Sequence, residues 1–126
     1  MTMERDNVTQ RILIVQAHSY LNGMLQRGQQ WLRAAGFEVD LAKLADGAST
    51  SFGQDAYSLL ILGSTCHDGP GFRLLKRLRE DRNDVPVIIA SSRSESDEKV
   101  SMFNAGADDY FVLPCDADEL VARCRT

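Results

Sequence analysis

Apolar and polar positions fall into two alternating patterns along this chain. Short, nearly unbroken apolar runs appear at Arg11-Ile12-Leu13-Ile14-Val15, at Tyr57-Ser58-Leu59-Leu60-Ile61-Leu62-Gly63, at Val87-Ile88-Ile89-Ala90 and at Tyr110-Phe111-Val112-Leu113. Such runs predict strands covered on both faces, as parallel sheets are. Phe37-Glu38-Val39-Asp40-Leu41 instead alternates with period two, which predicts an edge strand.

Between the runs the period becomes helical. Leu21, Met24, Leu25, Gly28, Leu32 and Ala35 share one face, and Gly36 supplies a stop. Phe72, Leu75 and Leu78 predict a second helix ending near Arg82-Asn83-Asp84, before Val85-Pro86. Ser94 with Asp97 and Asp116 with Glu119 have capping-box spacing. The first opens a helix through Val100 and Phe103 that Gly106 ends; the second opens a last helix through Leu120, Val121 and Cys124. Residues 43–55 predict only a short or distorted helix, because Gly47 and Gly53 punctuate a Ser/Thr-rich stretch. Strands alternating with helices predict an α/β doubly wound five-stranded parallel sheet in the flavodoxin-like order 2-1-3-4-5.

Length and composition narrow the function classes. At 126 residues and 44% hydrophobic, the chain predicts one packed domain over 11–126, behind a disordered leader at 1–10. A net charge of −4 leaves no electrostatic footprint for nucleic acid. The absence of a membrane-length apolar run or a signal-peptide core predicts a cytoplasmic protein with no membrane partner. Cys66, Cys115 and Cys124 are odd in number and lack metal-site spacing, so reduced thiols are expected rather than a disulfide.

The blocks Arg11-Ile-Leu-Ile-Val15, Val85-Pro-Val-Ile-Ile89 with Ser91, and Gly106-Ala-Asp-Asp-Tyr110 with Pro114 and Glu119-Leu-Val-Ala-Arg123 resemble a response-regulator receiver domain of the OmpR/PhoB-like subfamily, with the CheY-like fold. The resemblance covers Arg11 to Arg125. It implies a regulatory module of a bacterial two-component transcriptional regulator, with a C-terminal DNA-binding domain expected beyond this chain.

Such receivers transfer a phosphoryl group to an aspartate at the end of the third strand. Two acidic residues after the first strand help hold Mg²⁺, a lysine after the fifth strand pairs with the phosphoryl group, and a Ser or Thr after the fourth senses it. Mg²⁺ requires hard oxygen ligands and the phosphoryl charge a positioned cation. By position the acidic pair falls on Gln16 and Ala17, the acceptor on Gly63 and the lysine on Leu113; only the hydroxyl, Ser91, is kept. The expected site is therefore degenerate, with no phosphorylation, no metal, no cofactor and no enzymatic activity. Asp68, His18 and His67 are candidate substitute groups, and Cys66-His67-Asp68 or Cys66 with Cys115 candidate metal or redox sites. A solvated polar loop is the plainer expectation for all of them.

The resemblance further implies a homodimer surface made by the helix carrying Val100, the fifth strand and the last helix. Lys99 is expected to pair with Glu119 of a partner copy, Asp109 with Arg123 and Asp108 with Arg125, around Val100 and Leu120. Tyr110 matches the family's switch aromatic, and Leu113-Pro114 a peptide bond that is cis in relatives. The alternative function is a pseudo-receiver that senses a small-molecule ligand in the vacated pocket beside Gly63.

Overall fold

The structure is a computed structural model, and it describes residues 10–16, 22–43, 57–63, 70–91, 96–113 and 115–125. Its elements in chain order are β1 (Arg11–Gln16), α1 (Asn22–Ala34), β2 (Glu38–Lys43), β3 (Leu59–Gly63), α2 (Pro70–Glu80), β4 (Val87–Ser91), α3 (Ser96–Asn104), β5 (Asp109–Val112) and α4 (Ala117–Arg125). The strands form one sheet in the order β2-β1-β3-β4-β5. All four pairings are parallel, as the apolar runs predicted. Of the stretch 43–55, where a short or distorted helix was expected, Lys43 closes β2 and the rest lies outside the described residues.

Period-two side-chain alternation divides the core in two. Ile12, Ile14, Ile61, Ile88 and Phe111 face Leu25 and Leu32 of α1 and Leu120 and Cys124 of α4. Leu13, Val15, Leu60, Leu62, Val87 and Ile89 face Leu74, Leu75 and Leu78 of α2 and Met102 of α3. Burying one such aliphatic side chain contributes about 1.5–3 kcal/mol, so the three central strands, β1, β3 and β4, dominate the stability of the sheet.

Three helices end in the same way. Gly36, Arg82 and Gly106 each lie in the left-handed region, at φ of 104°, 61° and 113°. Around Arg82, the Arg82 N–H donates to the Arg79 carbonyl and the Asn83 N–H to the Leu78 carbonyl, at 3.1 and 2.9 Å. Phe37 with Gly36 and Ala107 with Gly106 repeat that pair of bonds, which satisfies the last carbonyls of each helix. Phe37 therefore belongs to a helix stop, and β2 begins one residue later than the alternation suggested. Gln10, assigned to the leader from sequence, is tied to the sheet, since its carbonyl accepts the Glu38 N–H at 3.0 Å.

Arg79 anchors the loops at the amino-terminal ends of β4 and β5. Its guanidinium donates to the carbonyls of Asn83 (2.7 Å), Val85 (2.9 Å) and Gly106 (2.9 and 3.1 Å), and to Asp108 Oδ2 at 3.1 Å. The same Asp108 oxygen accepts the Val87 N–H at 2.8 Å. A β-carbon on Gly106 would stand 2.7 Å from Arg79 Cγ, so that position requires glycine for space as well as for φ.

Candidate functional site: the carboxyl edge of the sheet

The strand ends bring four of the five expected site residues to one edge. Gln16 and Gly63 are register partners across β1 and β3. Ser91 closes β4, and its carbonyl accepts the Leu113 N–H at 2.7 Å, which fixes Leu113 beside it. Ala17 lies outside the described residues, as do His18, Cys66, His67, Asp68 and Pro114.

Packing at this edge is apolar on the α1 side. Gly63 is directed at α1, where an added β-carbon would stand 2.6 Å from Leu25 Cδ1 and 3.5 Å from the Val15 carbonyl oxygen. Leu25 thus covers the Gly63 backbone, and Leu113, 7% exposed, belongs to the same cluster. The cavity left between α1, α4 and Leu113 holds only about 10 Å³, at most the room of a single water and far too little for a ligand. Gln16 is buried, and its Nε2 has no hydrogen-bond partner among the described residues.

This donor set does not fit a Mg²⁺ ion. Gln16 offers an amide, Ser91 a hydroxyl, and Gly63 and Leu113 no side-chain oxygen, so none of the described residues at these matched positions brings a carboxylate. Among the described residues no cluster of His, Cys, Asp and Glu is placed to hold a metal. The two described thiols fare no better as redox groups. Burial, then Glu119 and Asp116, pushes the Cys115 thiol up, and burial pushes Cys124 to about 12. Both remain protonated and unreactive at neutral pH.

The surface expected to carry the dimer differs in three respects. Leu120 is 3% exposed, inside its own protomer's core, with Cδ2 only 3.1 Å from where a β-carbon on Gly28 would stand. It cannot supply an exposed apolar centre. Asp109 is paired within the chain, both carboxylate oxygens accepting from Arg123 Nη1 at 3.0 and 2.8 Å, and Glu119 Oε2 joins Arg123 Nε at 3.3 Å. The bond to Asp109 is the first cause holding the Arg123 guanidinium above its ordinary pKa. Asp108 is engaged by Arg79 rather than left for a partner's Arg125.

What this face exposes is Val100, at 53%, and Phe103, at 44%, on adjacent turns of α3. Sequence reasoning had placed Phe103 on that helix without giving it a surface role. Tyr110 is buried against Met102 and Ile89, with Lys99 Nζ 5.6 Å from its ring centre. That cation–π contact holds Lys99 over the aromatic.

Comparison with known proteins decides the family. Residues 5–125 match the response regulator receiver domain. The chain belongs to that family. It is 37% identical over 125 residues to the transcriptional regulatory protein PrrA of Mycobacterium tuberculosis, covering 98% of this chain and 52% of that protein. It is 39% identical over 90 residues to the probable transcriptional regulatory protein y4xI of Sinorhizobium fredii, covering 71% of this chain and 40% of the other. The receiver chain thus spans about half the length of such relatives. Among solved structures, a putative response regulator from Chloroflexus aurantiacus superposes with a TM-score of 0.75 at 28% identity, covering 94% and 96% of the two chains. HP1043, an orphan response regulator of H. pylori, gives 0.63 at 26%, covering 92% and 93%. The receiver fold and the sheet order inferred from sequence agree with these neighbours.

Proposed function

We propose that this receiver domain works without aspartyl phosphorylation, as the regulatory and dimerisation module of an OmpR/PhoB-like transcriptional regulator. The observation that carries this reading is the position matched to the acceptor, where Gly63 offers no oxygen and Leu25 Cδ1 fills the space of its missing side chain. Leu113 at the position matched to the lysine and Gln16 at an acidic position support it. All the lost groups are charged, and losing them together leaves no charge buried without a partner. The relatives named transcriptional regulatory proteins support a role in transcription; in our reading DNA is bound by an output domain in the cytoplasm, and this domain is no enzyme.

Association through α3, β5 and α4 is the output we assign to it. Val100 and Phe103 form the exposed apolar part of that face, with Lys99 and Glu119 flanking it. The test is the intact mass and solution mass of the chain with Mg²⁺ and a small phosphodonor. An unchanged covalent mass and an unchanged oligomeric state are expected. A phosphoryl adduct overturns the reading.

A second reading, ligand sensing at the vacated site, is favoured by one observation, the unpartnered and buried Nε2 of Gln16. A ligand acceptor would satisfy it. Leu25 and Leu113 weigh against this reading, because they occupy the volume such a ligand needs.

A further inference from the structure

At the amino-terminal edge of the sheet, the far side from Gly63, lies a cleft that neither reading above uses. It holds about 460 Å³ between the starts of β3, β4 and β5 and the last turn of α4. Leu59, Ile88 and Cys124, all buried, give it an apolar floor, with Pro86 at the flank. Asp108, Asp109 and Arg123 also line it with their charges already paired, Asp108 to Arg79 and Asp109 to Arg123. Three further lining groups are uncommitted. Among the described residues Arg125 makes no ion pair, and the Gln10 amide and the Ser58 hydroxyl make no hydrogen bond.

We infer that this cleft binds a small carboxylic acid with an apolar body, the carboxylate on Arg125, Ser58 and Gln10 and the body on Leu59, Ile88 and Cys124. The volume lies within the range of small-molecule sites, which combine an apolar floor with a few polar groups. Charge selects the sign of the ligand. Arg79 and Arg123 each neutralise one aspartate, so Arg125 leaves the cleft with one positive charge in a chain whose net charge is −4. The uncommitted groups are a cation and two neutral donors, the set from which a carboxylate accepts. A cationic ligand would find both aspartates already engaged. The lining is also held in place before anything binds. Asp108 Oδ2 accepts the Val87 N–H at 2.8 Å, Asp109 Oδ1 accepts the Tyr110 N–H at 2.8 Å, and Arg123 Nη1 donates to both oxygens of Asp109 at 3.0 and 2.8 Å. Such preorganisation lowers the ordering cost of binding. A body seated here touches the strand starts and α4 at once, and so ties the end of that helix to the sheet. Because the cleft is remote from Gly63, the inference stands whether or not that edge takes a phosphoryl group.

The probes are benzoate, naphthoate and adamantane carboxylate, which differ in the size and shape of the apolar body, titrated by calorimetry and by amide chemical shifts. The expected result is saturable binding of at least one of them below about 5 mM, with the shifts concentrated at Leu59, Asp109 and Arg125 and slower amide exchange over the last turn of α4. The corresponding neutral amide binds about tenfold more weakly or worse, because it offers Arg125 no charge. Arg125→Glu weakens the carboxylate by about tenfold or more and changes the amide by less than about twofold. Arg27→Glu makes the same change of charge on α1 and leaves both affinities as they were. Arg27 and Arg125 are exposed, so neither reversal disturbs the fold. No saturable binding of any of the three acids overturns the inference. So does equal affinity for acid and amide, a carboxylate that ignores Arg125→Glu, or shifts that gather at the Gly63 edge instead.

Discussion

Leu25 of α1 occupies the space that a side chain on Gly63 would need, with its Cδ1 2.6 Å from the place of the missing β-carbon. Restoring an aspartate here is therefore no simple repair. Gly63→Asp forces Leu25 aside and places a carboxylate against a leucine-lined wall, so it is expected to cost about 2–3 kcal/mol in urea unfolding and to gain no phosphoryl group. Adding Leu25→Ala should recover part of that loss by removing the clash. An aspartate tolerated with no change in stability shows that Leu25 moves freely.

Gln16 gives the complementary prediction at the same edge. Its buried Nε2 lacks an acceptor, and a group in that state costs about 1–3 kcal/mol. Gln16→Met keeps the length and removes the donor, so the variant should be more stable by about 1 kcal/mol. A destabilised variant would place an acceptor on that nitrogen in solution.

The loop anchor at Arg79 shows where sequence reading stops. The strand order was legible because continuous apolar runs admit few other arrangements, and the start of α4 because capping is local, whereas Ser94, the other expected cap, lies outside the described residues. The Glu119 N–H does bond Asp116 Oδ1 at 2.9 Å. Arg79, Gly106 and Asp108 are 27 and 29 residues from contact to contact, with no local periodicity to reveal them. Leu120 was readable as apolar, but which side of α4 faced inward depended on its packing at Gly28, another long-range fact. Leu25 over Gly63 is the same kind of relationship. The site residues could be listed from the chain; what filled the space between them could not.

Arg79→Ala removes donors to three backbone carbonyls and to Asp108 at once, leaving partly buried acceptors unpaired. The expected loss is about 3 kcal/mol by chemical denaturation, with most of it kept by Arg79→Lys, which supplies one point of charge but no fork. Amide exchange should accelerate first at Val87 and Ala107, which begin the segments that Arg79 holds.

Arg82 is the one non-glycine described residue in the left-handed region, at the stop of α2 where α1 and α3 use glycine. A side chain there costs about 1 kcal/mol relative to glycine. Arg82→Gly should therefore raise the thermal midpoint, by about 4 °C if the full 1 kcal/mol is recovered in a domain of this size, and leave association unchanged. No gain would mean that the contacts of the Arg82 side chain offset its backbone strain.

Alkaline pH probes the core through Cys124. Its thiol titrates near 9 when unperturbed and is pushed up to about 12 by burial, so the folded state holds the proton more tightly than the unfolded one. The stability this represents is fully present below pH 9 and is lost as pH rises toward 12, at up to about 1.4 kcal/mol per unit. Cys124→Val removes the titrating group from the same apolar wall of Leu32, Leu120 and Ile12. Its stability should fall less steeply between pH 9 and 11 than that of the parent, measured as urea midpoints at each pH. Equal slopes would show that Cys124 is reached by solvent before the domain unfolds, and the thiol would then react with a disulfide reagent at pH 8 in the native state.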